Sequence, residues 1–355
     1  MNTLDSFIYP RKRILVTGGA GFIGKRLIKN FLENSTSIIF NIDKLSYASD
    51  LTFIDNMVNN KKNKYKNRYK FLKIDLKNYS DVNLALNKIN PDIIYHLAAE
   101  SHVDRSIDKA EIFMQSNIIG TFNLLEASLK HYENLNKERK KSFIFHHIST
   151  DEVYGSLKEK GSFTEESRYD PRSPYSASKA ASDHLVRAWF HTYKMPIIIT
   201  NCSNNFGPWQ FPEKLIPLSI LKALKNEEIP LYGNGMNIRD WIFVDDHVSG
   251  LIHASIKGSP GETYCIGAQN EIRNIDLVLK ICKLLDKIQP KNFKYSDLIC
   301  FVKDRPGHDQ RYSINPLKIK KELNWESNSN FDKLLEETVF WYVNNLDWCE
   351  NMIKN

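Results

Sequence analysis

The sequence predicts an α/β protein built on a doubly wound parallel sheet, with a smaller C-terminal lobe. Short apolar strands alternate with amphipathic helices about six times in the first 200 residues, as βαβ units do. A glycine-rich turn joins the first strand to the first helix, and the alternation becomes less regular after about Pro208. With 355 residues, the chain is long enough for one large domain or two closely joined ones.

The elements follow from apolar runs and helix signals taken in chain order. The predicted strands are 13–17, 37–42, 69–74, 93–97, 142–148 and 197–200. The predicted helices are 22–33, 80–88, 109–132 and 174–193. We therefore expect a first domain over 1–207, to which 240–250 returns, and a second lobe formed mainly by 208–355.

The composition is that of an ordinary globular protein, with 42% apolar and 26% charged residues. Much of the net charge of +7 comes from residues 61–70, which we interpret as a solvated loop or helix face. A nucleic-acid patch is the weaker alternative because no recognised binding motif accompanies the charge. We expect no nucleic-acid partner, although the positive charge would mildly favour an anionic substrate.

The five cysteines are odd in number, widely spaced and contain no CxxC pair, which argues against a disulfide framework or a metal site. The first 13 residues lack the apolar centre of a signal peptide. No apolar run approaches the roughly 20 residues that span a bilayer. We expect a cytoplasmic protein without a membrane segment.

The glycine-rich turn has the features of a dinucleotide-binding loop, because a strand precedes it and a helix follows. It comprises Gly18, Gly21, Phe22, Ile23 and Gly24. Glycines allow a tight turn and a close approach of the backbone to a pyrophosphate, which the helix N-terminus then faces. Asp43 ends the next strand, where a carboxylate would bind ribose hydroxyls and repel a 2′-phosphate. The expected cofactor is NAD rather than NADP.

Two later strand ends extend this expectation. Asp75 would accept a hydrogen bond from the adenine amino group, or else cap the following helix. Leu97, Ala98 and Ala99 end the fourth strand, and the two alanines would let a cofactor lie close to the backbone.

Tyr175 and Lys179 form a Y-x-x-x-K pair at the start of a predicted helix, so they share one face. A lysine ammonium near a phenol would lower the phenol's pKa. The phenolate could then take a hydroxyl proton while NAD takes the hydride from the same carbon. Taken alone, the pair is common by chance, but a dinucleotide fingerprint at this distance makes it specific.

The preceding strand ends in Ser149 and Thr150, either of which could supply a hydroxyl, and we favour Thr150. Asp151 and Glu152 follow at once. Two adjacent carboxyls beside a nicotinamide can divide acid and base roles if their environments separate their pKa values. An elimination needs such a pair, whereas a simple oxidoreductase or an epimerase does not. An exposed acidic turn is the alternative.

These motifs resemble the extended short-chain dehydrogenase/reductases and, far more closely, the dTDP-glucose 4,6-dehydratases. The resemblance runs from Arg13 to about Asn345, although 156–172 is shorter than in many bacterial members. The matching segments are VTGGAGFIG (16–24), DKLSYAS (43–49), LAAESHVDRSI (97–107), HHISTDEVYG (146–155), SPYSASKAASDHLVRAW (173–189), TNCSNNFGPWQFPEKLIPL (200–218), LYGNGMNIRDWIFVDDH (231–247) and DRPGHDQRY (304–312).

The resemblance implies NAD-dependent removal of water from a nucleoside-diphosphate glucose. Tyr175, aided by Lys179 and Thr150, would deprotonate the C4 hydroxyl as NAD takes the C4 hydride. Glu152 would remove the C5 proton, and Asp151 would protonate the leaving C6 hydroxyl. Return of the hydride to C6 would give a 4-keto-6-deoxy sugar nucleotide.

The resemblance also implies the binding residues and a homodimer, paired through helices near 109–132 and 174–193. The residues expected to touch NAD, besides those given above, are Lys44, Leu76, Ser101 and Asn205. Those expected to hold the sugar nucleotide are Ser101, His102, Thr150, Asn204, Lys214, Leu215, Tyr232, Arg239, Asn274, Arg305 and His308. Arginine suits this role because guanidinium pairs bidentately with phosphate.

Three alternatives stay open. A nucleotide-sugar 4-epimerase on the same fold would lack the Asp151–Glu152 pair, and a non-catalytic NAD-binding regulator would commonly lose Tyr175 or Lys179. The nucleobase is also open between dTDP-glucose and UDP-glucose. We expect the base near Leu231, Tyr232 and 208–211, where Trp209 or Phe211 could crowd a thymine methyl.

Overall fold

The computed structural model describes residues 11–59, 64–327 and 330–354. The N-terminal residues that bear on a signal peptide, and 61–63 of the basic segment, lie largely outside these ranges; residues 64–68 form a turn. The strands of the described residues are β1 Arg13–Thr17, β2 Ile38–Asp43, β3 Tyr69–Lys73, β4 Ile93–His96, β5 Ile144–Thr150, β6 Ile197–Cys202, β7 Asn204–Phe206, β8 Ile229–Tyr232, β9 Ile238–Phe243, β10 Thr263–Ile266, β11 Glu271–Arg273 and β12 Ile299–Val302.

Seven strands form a parallel sheet in the order β10-β6-β5-β4-β1-β2-β3. The predicted doubly wound parallel sheet is therefore confirmed. Chain order reverses between β1 and β4, and folds of this type bind ligands outside the carboxyl ends of the strands at such a point.

The helices predicted over 22–33, 80–88 and 174–193 are observed within one residue of these bounds, whereas those over 52–58, 103–108 and 137–142 were not predicted. The helices of the described residues are α1 Phe22–Asn34, α2 Thr52–Val58, α3 Tyr79–Ile89, α4 Val103–Asp108, α5 Ala110–Phe113, α6 Gly120–Glu133, α7 Lys137–Ser142, α8 Pro174–Tyr193, α9 Leu215–Leu224, α10 Val244–Lys257, α11 Asn274–Ile288, α12 Leu317–Leu323, α13 Phe331–Val343 and α14 Leu346–Lys354. None of the helices in these ranges combines the length and apolar character needed to span a membrane.

The predicted helix over 109–132 is interrupted, because Met114–Ile119 forms a π-helical turn between α5 and α6. The side chain of Asn117 is drawn into tertiary hydrogen bonds, accepting from the Glu100 amide at 2.8 Å and donating to Ser178 Oγ at 2.8 Å. Its carbonyl accepts from Ser182 Oγ at 2.7 Å. Such wide turns are frequent at functional sites, and this one ties α8 to the loop after β4.

Buried apolar side chains cover both faces of the main sheet. One cluster packs α1 and α10 against it through residues such as Leu27, Phe31 and Leu251. The other packs α3, α6 and α8 through Leu86 and Leu124, among others. Burial at roughly 25 cal/mol per Å² makes these clusters the main stabilising contribution, and they hold the strand ends that carry the site.

The later part of the chain adds two small sheets and a further apolar cluster. Strands β7, β9 and β11 form one small sheet, and β8 pairs with β12. Helices α9, α11 and α13 pack together around Ile220, Ile281 and Val339. After β9, helix α10 packs on α1, and β10 joins the main sheet. The division at residue 207 stays a prediction.

Candidate active site

A cavity of about 530 Å³ opens at the carboxyl edge of the main sheet, large enough for a ligand of cofactor size. Its lining includes all of the residues predicted to be catalytic or to hold the cofactor, the diphosphate or the sugar: Gly18, Gly21, Phe22, Ile23, Gly24, Asp43, Lys44, Asp75, Leu76, Leu97, Ala98, Ala99, Ser101, His102, Thr150, Asp151, Glu152, Tyr175, Lys179, Asn204, Asn205, Lys214, Leu215, Tyr232, Arg239, Asn274, Arg305 and His308. The fold thus brings together positions spread over nearly 300 residues.

The glycine turn is shaped by close backbone contacts. Gly18 has a φ of +73°, and a Cβ there would lie 2.7 Å from the Ala98 backbone. A Cβ on Gly24 would lie 2.3 Å from the Gly18 carbonyl oxygen. Gly21 is the N-cap of α1 and offers no side-chain acceptor to its first amides. These residues fit a pyrophosphate, which the free amides of the helix N-terminus would bind.

Asp43 ends β2 and faces the cavity as a largely buried carboxylate. It accepts hydrogen bonds from the Ala20 amide at 3.0 Å, the Leu45 amide at 2.8 Å and Ser49 Oγ at 3.1 Å. A carboxylate can accept about four hydrogen bonds. It therefore keeps acceptor capacity for a ribose hydroxyl while its charge fixes the surrounding loop.

Asp75 lies in the cavity wall and does not cap the following helix, so that alternative was wrong. Asn78 is the N-cap of α3, and its side chain accepts from the Asp81 amide. The Asp75 carboxylate instead accepts from the Lys77 amide at 3.0 Å.

The reactive side chains come from two adjacent elements. Strand β5 ends at Thr150 and runs directly into a 3₁₀ turn over Asp151–Tyr154. Beside it, α8 begins at Pro174, where a reciprocal Ser173–Ser176 capping box at 3.0 Å fixes the first turn. This start places Tyr175 and Lys179 on the cavity side of α8.

The two adjacent carboxyls occupy different environments. Asp151 is 1% exposed, and burial, with the charges of Glu152 and Asp240, raises its pKa well above the usual range. Burial also raises the pKa of Glu152, but the charges of Arg305, Arg239 and Lys214 oppose that rise. Asp151 is therefore the carboxyl that stays protonated more readily, and Glu152 is the one that ionises first.

Thr150 links these groups. Its hydroxyl donates to Asp151 Oδ1 at 3.3 Å and accepts from the Glu152 amide at 3.3 Å. Ser149 instead donates to Asp183 at 2.9 Å. This difference favours Thr150 as the hydroxyl available to a ligand.

Tyr175 differs from the expectation in one respect. Burial, followed by the charge of Glu152, raises its pKa well above 10 in the chain alone, whereas a hydrogen bond from Thr150 lowers it. Lys179 does not offset this rise, because its Nζ donates to the Ile148 carbonyl at 2.9 Å and lies 3.5 Å from His147 Nε2. A dry cavity containing a carboxylate disfavours the phenolate.

The opposite side of the cavity is cationic. Arg239 is 6% exposed and lies over the Tyr312 ring at 4.3 Å, and it donates to the Ile238 and Asp309 carbonyls at 2.8 and 3.0 Å. Arg305 donates to Asp104 at 3.0 Å. Guanidinium has five donors, so both arginines keep capacity for a phosphate.

Three buried polar atoms in this wall have no protein partner among the described residues: Asn204 Oδ1, Asn274 Oδ1 and Arg305 Nε. Buried polar groups in folded proteins are nearly always hydrogen-bonded. Their presence in the cavity lining fits a polar ligand that would complete their hydrogen bonds.

The histidines at the cavity are neutral at neutral pH. Burial, followed by the charge of Lys214, lowers the pKa of His102 to about 4, and burial with the charge of Arg305 does the same for His308. His102 also caps α4 by accepting from the Arg105 amide at 3.4 Å. It is therefore both a structural residue and a cavity residue.

The cavity residues that were not anticipated include three ionisable side chains, Asp104, Glu213 and Tyr312. Asp104 accepts from Arg305 and, at 3.0 Å, from the Tyr232 hydroxyl, so it connects α4 with two later segments. Each lies in or beside a segment matching the dehydratases, which was the available signal. Considered one at a time in the sequence, none of the three stands out as a site residue.

Of the two aromatic residues expected near the base, Trp209 was assigned wrongly, whereas Phe211 is a cavity residue. Trp209 does not line the cavity, since its ring packs on Phe53, Trp341 and Trp348 at centroid distances of 5.1, 4.9 and 5.1 Å. Phe211 and Leu231 do line it.

Comparison with known proteins agrees with this geometry. The sequence model of the GDP-mannose 4,6 dehydratase family matches residues 15–338. A probable dTDP-glucose 4,6-dehydratase of Sinorhizobium fredii is 51% identical over 95% of both chains, and a dTDP-glucose 4,6-dehydratase of Neisseria meningitidis is 48% identical over 96% of both. The crystal structure of the Bacillus anthracis dTDP-glucose 4,6-dehydratase in complex with NAD is 39% identical, with a TM-score of 0.82, over 96% of this chain and 99% of that one. The chain therefore belongs to the GDP-mannose 4,6 dehydratase family and, within it, to the dTDP-glucose 4,6-dehydratases.

Proposed function

We propose that this protein uses bound NAD to convert dTDP-glucose to its 4-keto-6-deoxy derivative, with Thr150, Asp151, Glu152, Tyr175 and Lys179 as the catalytic residues. The names of the relatives support the substrate, and the carboxyl pair at the cavity carries the reaction type. Mass spectrometry of the product tests the reaction, because a dehydratase product has lost one water. A product of unchanged mass would point to a 4-epimerase, and no product would point to a regulator.

The carboxyl pair is the observation that supports elimination. Loss of the C6 hydroxyl needs a proton donor, and Asp151 is held protonated by burial beside Glu152 and Asp240. Removal of the C5 proton needs a base, and three cations oppose the protonation of Glu152. Separated pKa values in adjacent carboxyls assign the acid and base roles.

The C4 step belongs to α8 and the end of β5. When bound, NAD would accept the hydride from C4 and, in its reduced form, return it to C6. Tyr175 accepts the C4 hydroxyl proton, and the neighbouring Thr150 side chain lowers the pKa of the phenol, which favours the phenolate. Lys179, which is buried and positively charged, stabilises the negative charge that develops at Tyr175 and the C4 oxygen during this step.

The cofactor proposal rests on the glycine turn and on Asp43, Lys44, Asp75, Leu76, Leu97, Ala98, Ala99, Ser101 and Asn205. Since Asp43 is largely buried and charged, a 2′-phosphate beside it would be repelled. Protein purified without added cofactor should therefore release NAD on denaturation, as chromatography with mass spectrometry would show. Release of mainly NADP would contradict the role of Asp43.

We place the diphosphate at Lys214, Arg239 and Arg305, and the base against Leu231 and Phe211, with the remaining predicted substrate residues around them: Ser101, His102, Asn204, Leu215, Tyr232, Asn274 and His308. Thymine and uracil differ by a methyl, and deoxyribose and ribose by a hydroxyl. A methyl in an apolar pocket is worth only about 1–3 kcal/mol. UDP-glucose therefore remains the second candidate.

We expect kcat/KM to be higher for dTDP-glucose than for UDP-glucose by about 10–200-fold, the range that one such group supports. The measurement compares both substrates at the same pH and salt, with GDP- and CDP-glucose as controls. A preference for GDP- or CDP-glucose would contradict the proposed base pocket.

We also propose a homodimer paired through α5–α6 and α8. Four apolar side chains on these elements are 41–47% exposed: Ile112, Ile119, Phe122 and Tyr193. A group of exposed apolar side chains on neighbouring helices is typical of a protein interface. Sedimentation equilibrium should give twice the mass of one chain, and a single-chain mass at micromolar concentration would contradict the proposal.

A further inference from the structure

A buried charged network lies directly behind Lys179, on the side away from the cavity. His147 Nε2 is 3.5 Å from Lys179 Nζ and 3.1 Å from Asp183 Oδ1. His147 and Asp183 are fully buried, and Lys179 is 5% exposed. Asp183 is one helical turn after Lys179 on α8, so both side chains project from the same face.

Asp183 is held as a charged carboxylate. Burial alone would raise its pKa, but contact with His147, the charge of Lys179 and a hydrogen bond from Ser149 outweigh it, so its pKa lies below the usual value. Tyr169 also donates to Asp183 Oδ2 at 2.8 Å. An anion with this many partners in a dry interior is a fixed charge rather than a titrating group.

Among the described residues around this network, Asp183 is the buried group that carries a negative charge near Lys179, because the neighbouring titratable groups are uncharged. His147 is neutral, since burial and the charge of Lys179 lower its pKa to about 4, and His96 behind it is also held neutral by burial. Burial raises the pKa of the Cys202 thiol, which therefore stays uncharged. Arg187, further along α8, bonds to the Tyr169 hydroxyl at 3.0 Å rather than to Asp183.

Lys179 needs such a partner. Burial lowers its pKa, and the charge of Asp183 is the largest influence that raises it again. A neutral Lys179 could not stabilise negative charge on Tyr175 or on the C4 oxygen.

We propose that Asp183 is a positioning residue for the C4 oxidation: acting across His147, its buried charge keeps Lys179 protonated and directed along the wall of the cavity. This inference rests on the proposed function. It assigns a purpose to a buried charge that touches neither the cofactor site nor the substrate site.

The test compares pH profiles of C4 oxidation. Glu152→Gln provides the parent, because blocked elimination lets the absorbance of reduced nicotinamide report the first step alone. Removing the charge with Asp183→Asn should lower the pKa of Lys179, so the high-pH limb of the profile, where Lys179 loses its proton, should move to lower pH. An opposite charge at about 4–6 Å shifts a pKa by about 1–3 units, and we expect a displacement in that range.

Matched variants separate charge from structure. Tyr169→Phe removes a hydrogen bond to the same carboxylate and keeps its charge, so its limb should stay with the parent, as should that of Asp183→Glu. Thermal unfolding checks that each variant is folded, and Asp183→Ser replaces Asp183→Asn if the latter is not. A limb that stays in place in the folded uncharged variant overturns the proposal.

A second measurement does not depend on the reaction. The rate at which acetic anhydride acylates Lys179, followed by peptide mass spectrometry across pH, reports the pKa of that amine directly. It should titrate at lower pH in Asp183→Asn than in Tyr169→Phe, and equal titrations would also overturn the proposal. If the parent accumulates no reduced nicotinamide, the proposed function fails, and the acylation titration alone decides the role of Asp183.

Discussion

Replacing Glu152 with glutamine should reduce turnover by about 10²–10⁴-fold, the usual contribution of a general acid–base group. Glutamine keeps the size of the side chain but cannot accept the C5 proton. Since Tyr175, Thr150 and Lys179 are unchanged, oxidation at C4 should continue and reduced nicotinamide should accumulate. Exchange of the C5 proton with deuterated solvent, measured by mass spectrometry, should fall together with turnover.

Glu165→Gln is the matched control for this change. Glu165 is also a partly exposed glutamate, but it accepts from the Cys265 amide at 2.7 Å and is not a cavity residue. Its variant should retain turnover and C5 exchange. Full turnover in Glu152→Gln would show that another group is the base, and loss of the C4 oxidation as well would show that the substitution disturbs more than one step.

The acid and base roles of the carboxyl pair could be assigned on physical grounds only from the folded structure. In the sequence, Asp151 and Glu152 are equivalent neighbours, and only the family resemblance distinguished them. In the structure, the charge of Asp240, 89 positions later in the numbering, raises the pKa of Asp151 and only that of Arg239 opposes it, whereas three cations, Arg305, Arg239 and Lys214, lower the pKa of Glu152. The difference in pKa between the two carboxyls therefore arises from long-range contacts that no local pattern contains.

The fold was predictable where local signals agree with packing. Helix α8 begins and ends at its predicted residues, because Pro174 at the first position and the Ser173 cap fix its start. The helix predicted over 109–132 was wrong in its continuity, since the tertiary hydrogen bonds of Asn117 open a π-helical turn. Local periodicity reports which face of a helix is apolar, but not where a side chain from another element changes its pitch.

The site was predictable as a set of residues and less so as a set of contacts. Long matching segments pointed to the residues that line the cavity, yet Asp104 was missed because its partner Arg305 is 201 positions away. Trp209 was assigned to the wrong surface for the same reason, since α13 and α14 supply the rings that cover it.

Replacing Tyr175 with phenylalanine should produce an equally large loss, but at an earlier step. Without the phenol oxygen no side chain accepts the C4 hydroxyl proton, so we expect C4 oxidation to fall by about 10²–10⁴-fold. Reduced nicotinamide should not accumulate. The C5 proton should not exchange either, because it becomes acidic only after C4 is a ketone. Reduced nicotinamide should therefore accumulate in Glu152→Gln but not in the double variant Glu152→Gln/Tyr175→Phe, in which elimination is equally blocked.

The raised pKa of Tyr175 makes this experiment informative about its charge. If burial and Glu152 disfavour the phenolate in the chain alone, as the structure indicates, substrate and cofactor must shift that balance when they bind. Glu152→Gln also removes the carboxylate charge that helps to raise the pKa of Tyr175. The rate of nicotinamide reduction in this variant should therefore rise with pH, and the midpoint of that rise should lie below the pKa that Tyr175 has in the chain alone. Tyr154→Phe is the control, because it removes a buried hydroxyl bonded to Asn201 at 3.3 Å without altering the cavity lining. Normal nicotinamide reduction in Glu152→Gln/Tyr175→Phe would mean that the C4 base has been assigned to the wrong side chain, and its loss in Glu152→Gln/Tyr154→Phe would mean that the assay responds to the loss of any buried hydroxyl.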